Sequence, residues 1–157
     1  MSAHASHSVH LALSVEAAWK RLSDLSQAPH YVPGLTGCQF HPGPQRGRGA
    51  SRRVLRRFGQ WLDETVIDWH EGSGFVLRLH HGAQGAPFPF REASFSYALE
   101  PTDSGSRMTL RMDYRLRGGR LFEGLLAGSF DKVVRQIAGN LKAYYETGVT
   151  QNPAFSG

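Results

Sequence analysis

The fold is decided by the stretch Met108-Thr109-Leu110-Arg111-Met112-Asp113-Tyr114-Arg115-Leu116-Arg117-Gly118-Gly119. Apolar residues occupy every second position from Met108 to Leu116, and Thr109, Arg111, Asp113, Arg115 and Arg117 fill the alternate ones. Such period-two alternation predicts an antiparallel strand with one buried and one wet face. After Gly118-Gly119 the period changes. At about 100° per residue, Leu126, Phe130, Val133, Val134, Ile137, Leu141, Tyr144 and Tyr145 share one arc, with Lys132, Arg135, Lys142 and Glu146 opposite. A helix running to about Glu146 is predicted, roughly 37 Å long and able to cross a whole domain of this size.

Towards the N-terminus, strand-like segments follow one another at about 88–99, 75–81, 60–69 and 50–58. They are joined by turn chemistry at Gly82–Gly85, Glu71-Gly72-Ser73-Gly74 and Gly59. Thr36–Phe40 and Ser8–Leu13 read as further short strands. Ser14 is placed to cap a helix over about Val15–Leu25, and Pro29 and Pro33 confine 27–32 to a short second helical piece. Residues 1–7 and 148–157 read as flexible, leaving one domain over 8–147. The expected class is α+β: a curved antiparallel sheet of about six to seven strands wrapped around the long C-terminal helix, with two short helices after the first strand. A sheet wrapped around a helix leaves space at an end that does not close.

The 157 residues are 40% hydrophobic and 11% aromatic, with 18 Lys+Arg against 13 Asp+Glu and a formal charge of +5. Fifteen of the cations are arginine, so acidic partners enter consideration. Cys38, the lone cysteine, excludes an internal disulfide and a multi-cysteine metal cluster and fits a reducing compartment. No apolar run approaches about 18 residues, and Met1–Val9 is polar rather than basic-then-apolar, so a cytoplasmic location is expected.

The strand leading into Ser14-Val15-Glu16-Ala17-Ala18-Trp19 resembles the opening of the START-like, polyketide cyclase/dehydrase superfamily, whose fold is the helix-grip. The resemblance continues through Leu22-Ser23-Asp24-Leu25, His30-Tyr31-Val32-Pro33-Gly34-Leu35, Gly47-Arg48-Gly49, the hairpin Leu99-Glu100-Pro101 with Gly105-Ser106-Arg107, and the C-terminal helix. It covers about residues 8–147 and rests on apolar and turn patterns, not on catalytic signatures. It implies a deep, mostly apolar pocket for a lipid, quinone or polyketide-like molecule; no cofactor is expected. It also implies a lid formed by the short helical region, which makes His30 and Tyr31 rim residues. The family has no universal catalytic residue to carry over.

Phosphate loops, GxGxxG, HExxH, GxSxG and CxxC are absent from the sequence. His4, His7 and His10 recur every third residue and are read as solvated, so no metal site is expected. His81 shares parity with Phe75, Leu77 and Leu79, which points it inward as a core or rim histidine or a catalytic base. Arg91 shares parity with Ala93, Phe95, Tyr97 and Leu99. It either faces the cavity mouth, where a guanidinium would hold a ligand oxyanion, or lies outside because the buried stretch ends or a bulge resets the parity. Between 60 and 69 the inner face is open: Trp61, Thr65, Ile67 and Trp69 lie on one side and Leu62, Glu64 and Val66 on the other. The candidate ligand-binding set is His30, Tyr31, Trp61, Trp69, Phe95, Tyr97, Met112, Tyr114, Phe130, Ile137 and Asn140, with His81, Arg91 and Tyr97 as catalytic candidates.

Three readings of function follow. The first is binding of a small hydrophobic molecule. The second is a cyclase or dehydratase moving a proton next to a carbonyl. The third is an interaction module using a basic sheet face built from Arg52-Arg53, Arg56-Arg57, Arg111, Arg115 and Arg117. Those arginines lack a recognition helix or RNA-binding aromatic motif, so no specific nucleic acid is expected. A positive exterior also suits transient contact with anionic membranes. The sequence leaves the oligomeric state open.

Overall fold

The computed structural model describes residues 3–155. Strand β1 (Ala3–Leu11) is followed by helix α1 (Val15–Leu22) and a 3-10 segment (Leu25–His30). Then come β2 (Leu35–Phe40), β3 (Ser51–Arg56), β4 (Trp61–His70), β5 (Gly74–His80), β6 (Phe90–Thr102) and β7 (Gly105–Leu116), and finally helix α2 (Arg120–Thr147). The seven strands form one antiparallel sheet in the order β1-β7-β6-β5-β4-β3-β2. This is the helix-grip arrangement.

Local chemistry sets the boundaries. Ser14 Oγ accepts from Ala17 N at 3.1 Å and starts α1, and Asp24 Oδ1 accepts from Ser26 N at 3.1 Å and starts the 3-10 segment. Helix α2 ends where Gly148, at φ +74°, turns left-handed and donates its N–H to Tyr144 O at 2.8 Å. On β7 the alternation holds throughout: Met108, Leu110, Met112, Tyr114 and Leu116 are buried against the helix side.

Both chain ends differ from the sequence expectation. Strand β1 begins at Ala3, because its backbone pairs with β7 from Ala3↔Tyr114 onward; residues 3–7 are therefore part of the sheet. Its pleat places His4 and His10 on one face and His7 on the other, so the three histidines do not converge. Residues 1 and 2 lie outside the described part. The C-terminal tail, read as mobile, is docked through residue 155. Asn152 is buried, and its Nδ2 donates to Pro29 O at 2.7 Å and Leu35 O at 2.8 Å while its Oδ1 accepts from Gly34 N at 3.3 Å. One side chain thus satisfies three backbone groups between the 3-10 segment and the start of β2. Asn152→Ala is expected to lower unfolding stability by about 1–3 kcal/mol, measured by urea denaturation. An unchanged midpoint would mean that the tail does not belong to the cooperative unit.

Candidate functional site

Successive residues of a strand face opposite sides, and this separates Arg52 from Arg53. Arg52 shares parity with Val54 and points inward, only 3% exposed, so it does not belong to a basic sheet exterior. Its cross-strand partner on β4 is Glu64. Arg52 Nε donates to Glu64 Oε1 at 2.9 Å, Nη2 lies 2.8 Å from the same oxygen, and Nη1 donates to Leu25 O. Two of the guanidinium's five N–H groups are left over. Taking two charges out of water costs several kcal/mol per ion, so a pair like this is weak evidence for stability and a reason to look for a ligand.

Three phenols join this pair. Tyr31, at the end of the 3-10 segment, Tyr97 on β6 and Tyr145 on α2 are all buried, with the Tyr31 and Tyr145 rings edge-on at 6.1 Å. Burial pushes the Tyr31 hydroxyl up to about 12, with Arg52 pulling the other way. It lifts Tyr97 and Tyr145 well above the ordinary value of 10, helped by the neighbouring phenols. All three are therefore neutral O–H groups at physiological pH. The Tyr145 hydroxyl is buried beside that of Tyr31 and meets no acceptor in good hydrogen-bond geometry. The cluster is rich in donors.

Aromatic rings continue the inner face away from this polar spot. Tyr97 lies 5.2 Å from both Phe95 and Phe75; Phe75 stacks on Trp69 at 5.4 Å, and Trp69 meets Trp19 at 5.1 Å. Met112 pairs with Phe95 across β6 and β7, and Tyr114 packs on Phe130 of α2 at 4.5 Å. Leu79, Phe95, Met112 and Ile137 retain 5–8% exposure, whereas Leu77, Leu110, Tyr114 and Leu141 retain 0–1%. His30 stacks on Tyr144 at 4.5 Å, and burial holds its imidazole below the usual 6.5 against the opposing pull of Asp24. Asn140 does not reach into the interior as expected: its Nδ2 donates to Tyr31 O at 3.2 Å and fixes the backbone that carries a phenol.

Three candidates lie on the other side of the sheet. A register shift between Val66 and Asp68 gives β4 an extra residue, so Trp69 turns inward whereas Trp61 stays outward with Asp63 and Thr65. A second shift between Phe90 and Glu92 leaves Arg91 unpaired and exposed, while Phe90 packs inward against Tyr114. Arg91 instead lines an open cleft of about 430 Å³ with Ile67 and Arg78. His81 lies just past the end of β5 and stacks outside on Trp61 at 3.7 Å. Arg53 sits at the same distance from that ring and so must occupy its opposite face. Neither His81 nor Arg91 can act on a molecule held inside.

Sequence reasoning missed Arg52, Glu64 and Tyr145. Parity with Val54, and with Leu62 and Val66, was the signal for the first two.

The outer face has its own anchor. Asp63 is buried, accepting from Arg53 Nε at 2.9 Å and Nη2 at 3.1 Å and lying 2.8 Å from His41 Nε2. Burial alone would raise its carboxyl, but the hydrogen bonds from Arg53 and His41 outweigh it and hold the group at about 2. A carboxyl depressed on folding stabilises above its unfolded value, and this contribution is lost as pH falls towards the folded one. Asp63→Asn is expected to cost about 2 kcal/mol at neutral pH and to flatten the acid limb of stability between roughly pH 4 and 2, followed by denaturation at several pH values. An acid limb identical to wild type would remove Asp63 from this role.

Comparison with known proteins bears on the whole chain. The family described as "Polyketide cyclase / dehydrase and lipid transport" matches residues 2–146. No curated protein matches the sequence significantly. Among solved structures, Ara h 8.0201 superposes with a TM-score of 0.71 at 12% identity, covering 92% of this chain and 98% of that one. A Nitrosospira multiformis protein gives 0.73 at 14%, covering 93% and 98%. The di-domain ARO/CYC StfQ from the steffimycin biosynthetic pathway gives 0.71 at 12%; the match covers 93% of this chain and 51% of StfQ. At these identities the likeness is one of fold.

Proposed function

This chain belongs to the polyketide cyclase/dehydrase and lipid-transport family, and from that premise we propose that it binds a small hydrophobic molecule carrying a carbonyl or hydroxyl oxygen. The ligand lies between the inner sheet face and α2, its apolar body against Phe95, Met112, Ile137 and the rings around Trp69. Its oxygen meets the donors of Arg52, Tyr31, Tyr97 and Tyr145. The observation carrying this reading is a buried cluster of donors: Arg52, with N–H groups to spare, beside three buried phenols, of which Tyr145 meets no acceptor in good geometry. A buried polar group without a partner costs about 1–3 kcal/mol, and a ligand oxygen relieves that cost. His30 and Tyr31 sit where the chain must yield for access.

Cyclisation or dehydration needs these donors and also a proton acceptor poised near neutral pH. Glu64 is occupied by Arg52, the three phenols hold their protons, and the neutral imidazole of His30 is packed between Tyr144 and Phe155 at the rim. This chemistry favours holding the ligand over transforming it.

The test uses 2-acetylnaphthalene against 2-ethylnaphthalene, which differ in one carbonyl. Wild type is expected to bind the ketone roughly 5–10-fold more tightly by calorimetry, the value of one or two hydrogen bonds. The double variant Arg52→Met/Glu64→Leu removes both buried charges together, so it is expected to fold and to lose the preference while keeping the hydrocarbon affinity. Binding of neither compound, or equal affinity for both in wild type, would defeat the proposal. Turnover of a β-polyketone by wild type that is lost in this variant would favour the enzyme.

A further inference from the structure

We propose that the end of the sheet from which α2 departs is a docking surface for an anionic lipid bilayer. In the antiparallel register, Leu55 pairs with Trp61, Asp63 with His80 and Phe90 with Leu116. The connections 57–60, 81–89 and 117–119, together with the first turns of α2, therefore emerge at the same end. They carry apolar side chains that the core does not use. Phe58 is 97% exposed and Phe88 86%, while Leu121 and Leu125, one turn apart on α2, are 75% and 69% exposed. Phe58 also holds φ at +63°, a conformation that a bulky residue adopts at a cost, in a turn that buries none of its ring. The first turn of α2 is set close to its lead-in by Gly118, where a Cβ would overlap the Phe122 ring.

The charge around these side chains is predominantly positive. None of the three connections contains an aspartate or glutamate. Among the described residues, Arg56, Arg57, Arg91, Arg117 and Arg120 form no ion pair. Of the nearby carboxylates, Glu92 lies 3.7 Å from Arg115, and Glu123 accepts from Leu116 N at 3.0 Å. The N-terminus of α2 has no side-chain cap, and Glu123 in its first turn offsets part of its positive end. Unpaired arginines among projecting aromatic and leucine side chains match an anionic interface: the cations meet lipid headgroups and the apolar tips enter the acyl boundary. A bilayer deforms around separate projecting tips on different loops. An acidic protein would need a surface shaped to all of them at once.

The probe is sedimentation with vesicles of phosphatidylcholine alone and of phosphatidylcholine with phosphatidylglycerol. The protein is expected to pellet with the anionic vesicles only, and less as salt rises. Arg57→Gln/Arg117→Gln is expected to lower partitioning roughly 10- to 30-fold. Phe58→Ser/Phe88→Ser is expected to lower it as well, at unchanged unfolding midpoint because neither ring packs in the core. Failure to pellet with anionic vesicles, or pelleting unaffected in both variants, would overturn the proposal. So would binding to soluble polyglutamate without vesicle association, which would assign the surface to an acidic protein. None of these outcomes depends on whether an interior ligand exists.

Discussion

A seven-stranded sheet has one face to bury, and the helix that grips it packs chiefly on β1 and β7. Everything else inside this protein answers that shortfall. Helix α2 packs less on the inner face of β3, β4 and β5, which is covered by Trp19 of α1, the 3-10 segment and large side chains. That is why Trp19, Trp69, Phe75, Tyr97 and Tyr31 form a continuous aromatic wall. Rings bury much area per residue, so such a wall supplies apolar burial where the helix packs less closely.

Arg52 and Glu64 lie inside that wall, and their geometry ties it together. Arg52 links β3 to β4 through Glu64 and to the 3-10 segment through Leu25 O. The same segment carries Tyr31, whose carbonyl is held by Asn140 of α2, and its end is held by Asn152 of the tail. The piece of chain nearest the buried donors is therefore fastened from three directions: sheet, helix and tail. A ligand that displaced one of these contacts would be felt at the others, because they share one short backbone.

The alternation of β7, the turn chemistry and the period change at Gly118-Gly119 were enough to establish the element order and the helix-grip class. Side-chain direction was legible only where the ladder runs without insertions. On β7 and the later part of β6 it held for Phe95, Tyr97, Met112 and Tyr114. It failed where a single extra residue enters: the shift after Val66 sends Trp61 and Trp69 to opposite faces, and the shift before Glu92 sends Arg91 outside. A bulge carries no compulsory residue type here, so parity alone could not locate either one. The tail was misread for a different reason, since the role of Asn152 lies in its partners Pro29 and Leu35, more than a hundred residues away.

Charge was legible as a total and not as a distribution. Of the arginines first grouped as one basic face, Arg52 is buried with Glu64, Arg53 is spent on Asp63 and Trp61, and Arg111 is held by Asp113. Among the described residues, Arg56, Arg57, Arg91, Arg117 and Arg120 form no ion pair and lie at the end of the sheet where the connections contain no acid, while Lys20, Arg21, Arg48, Arg78 and Lys132 are unpaired elsewhere. Pairing along the strands has thus left a cluster of five unpaired arginines at one pole. A field localised in this way orients a molecule as it approaches a negative surface, which the same charges spread evenly over the sheet could not do.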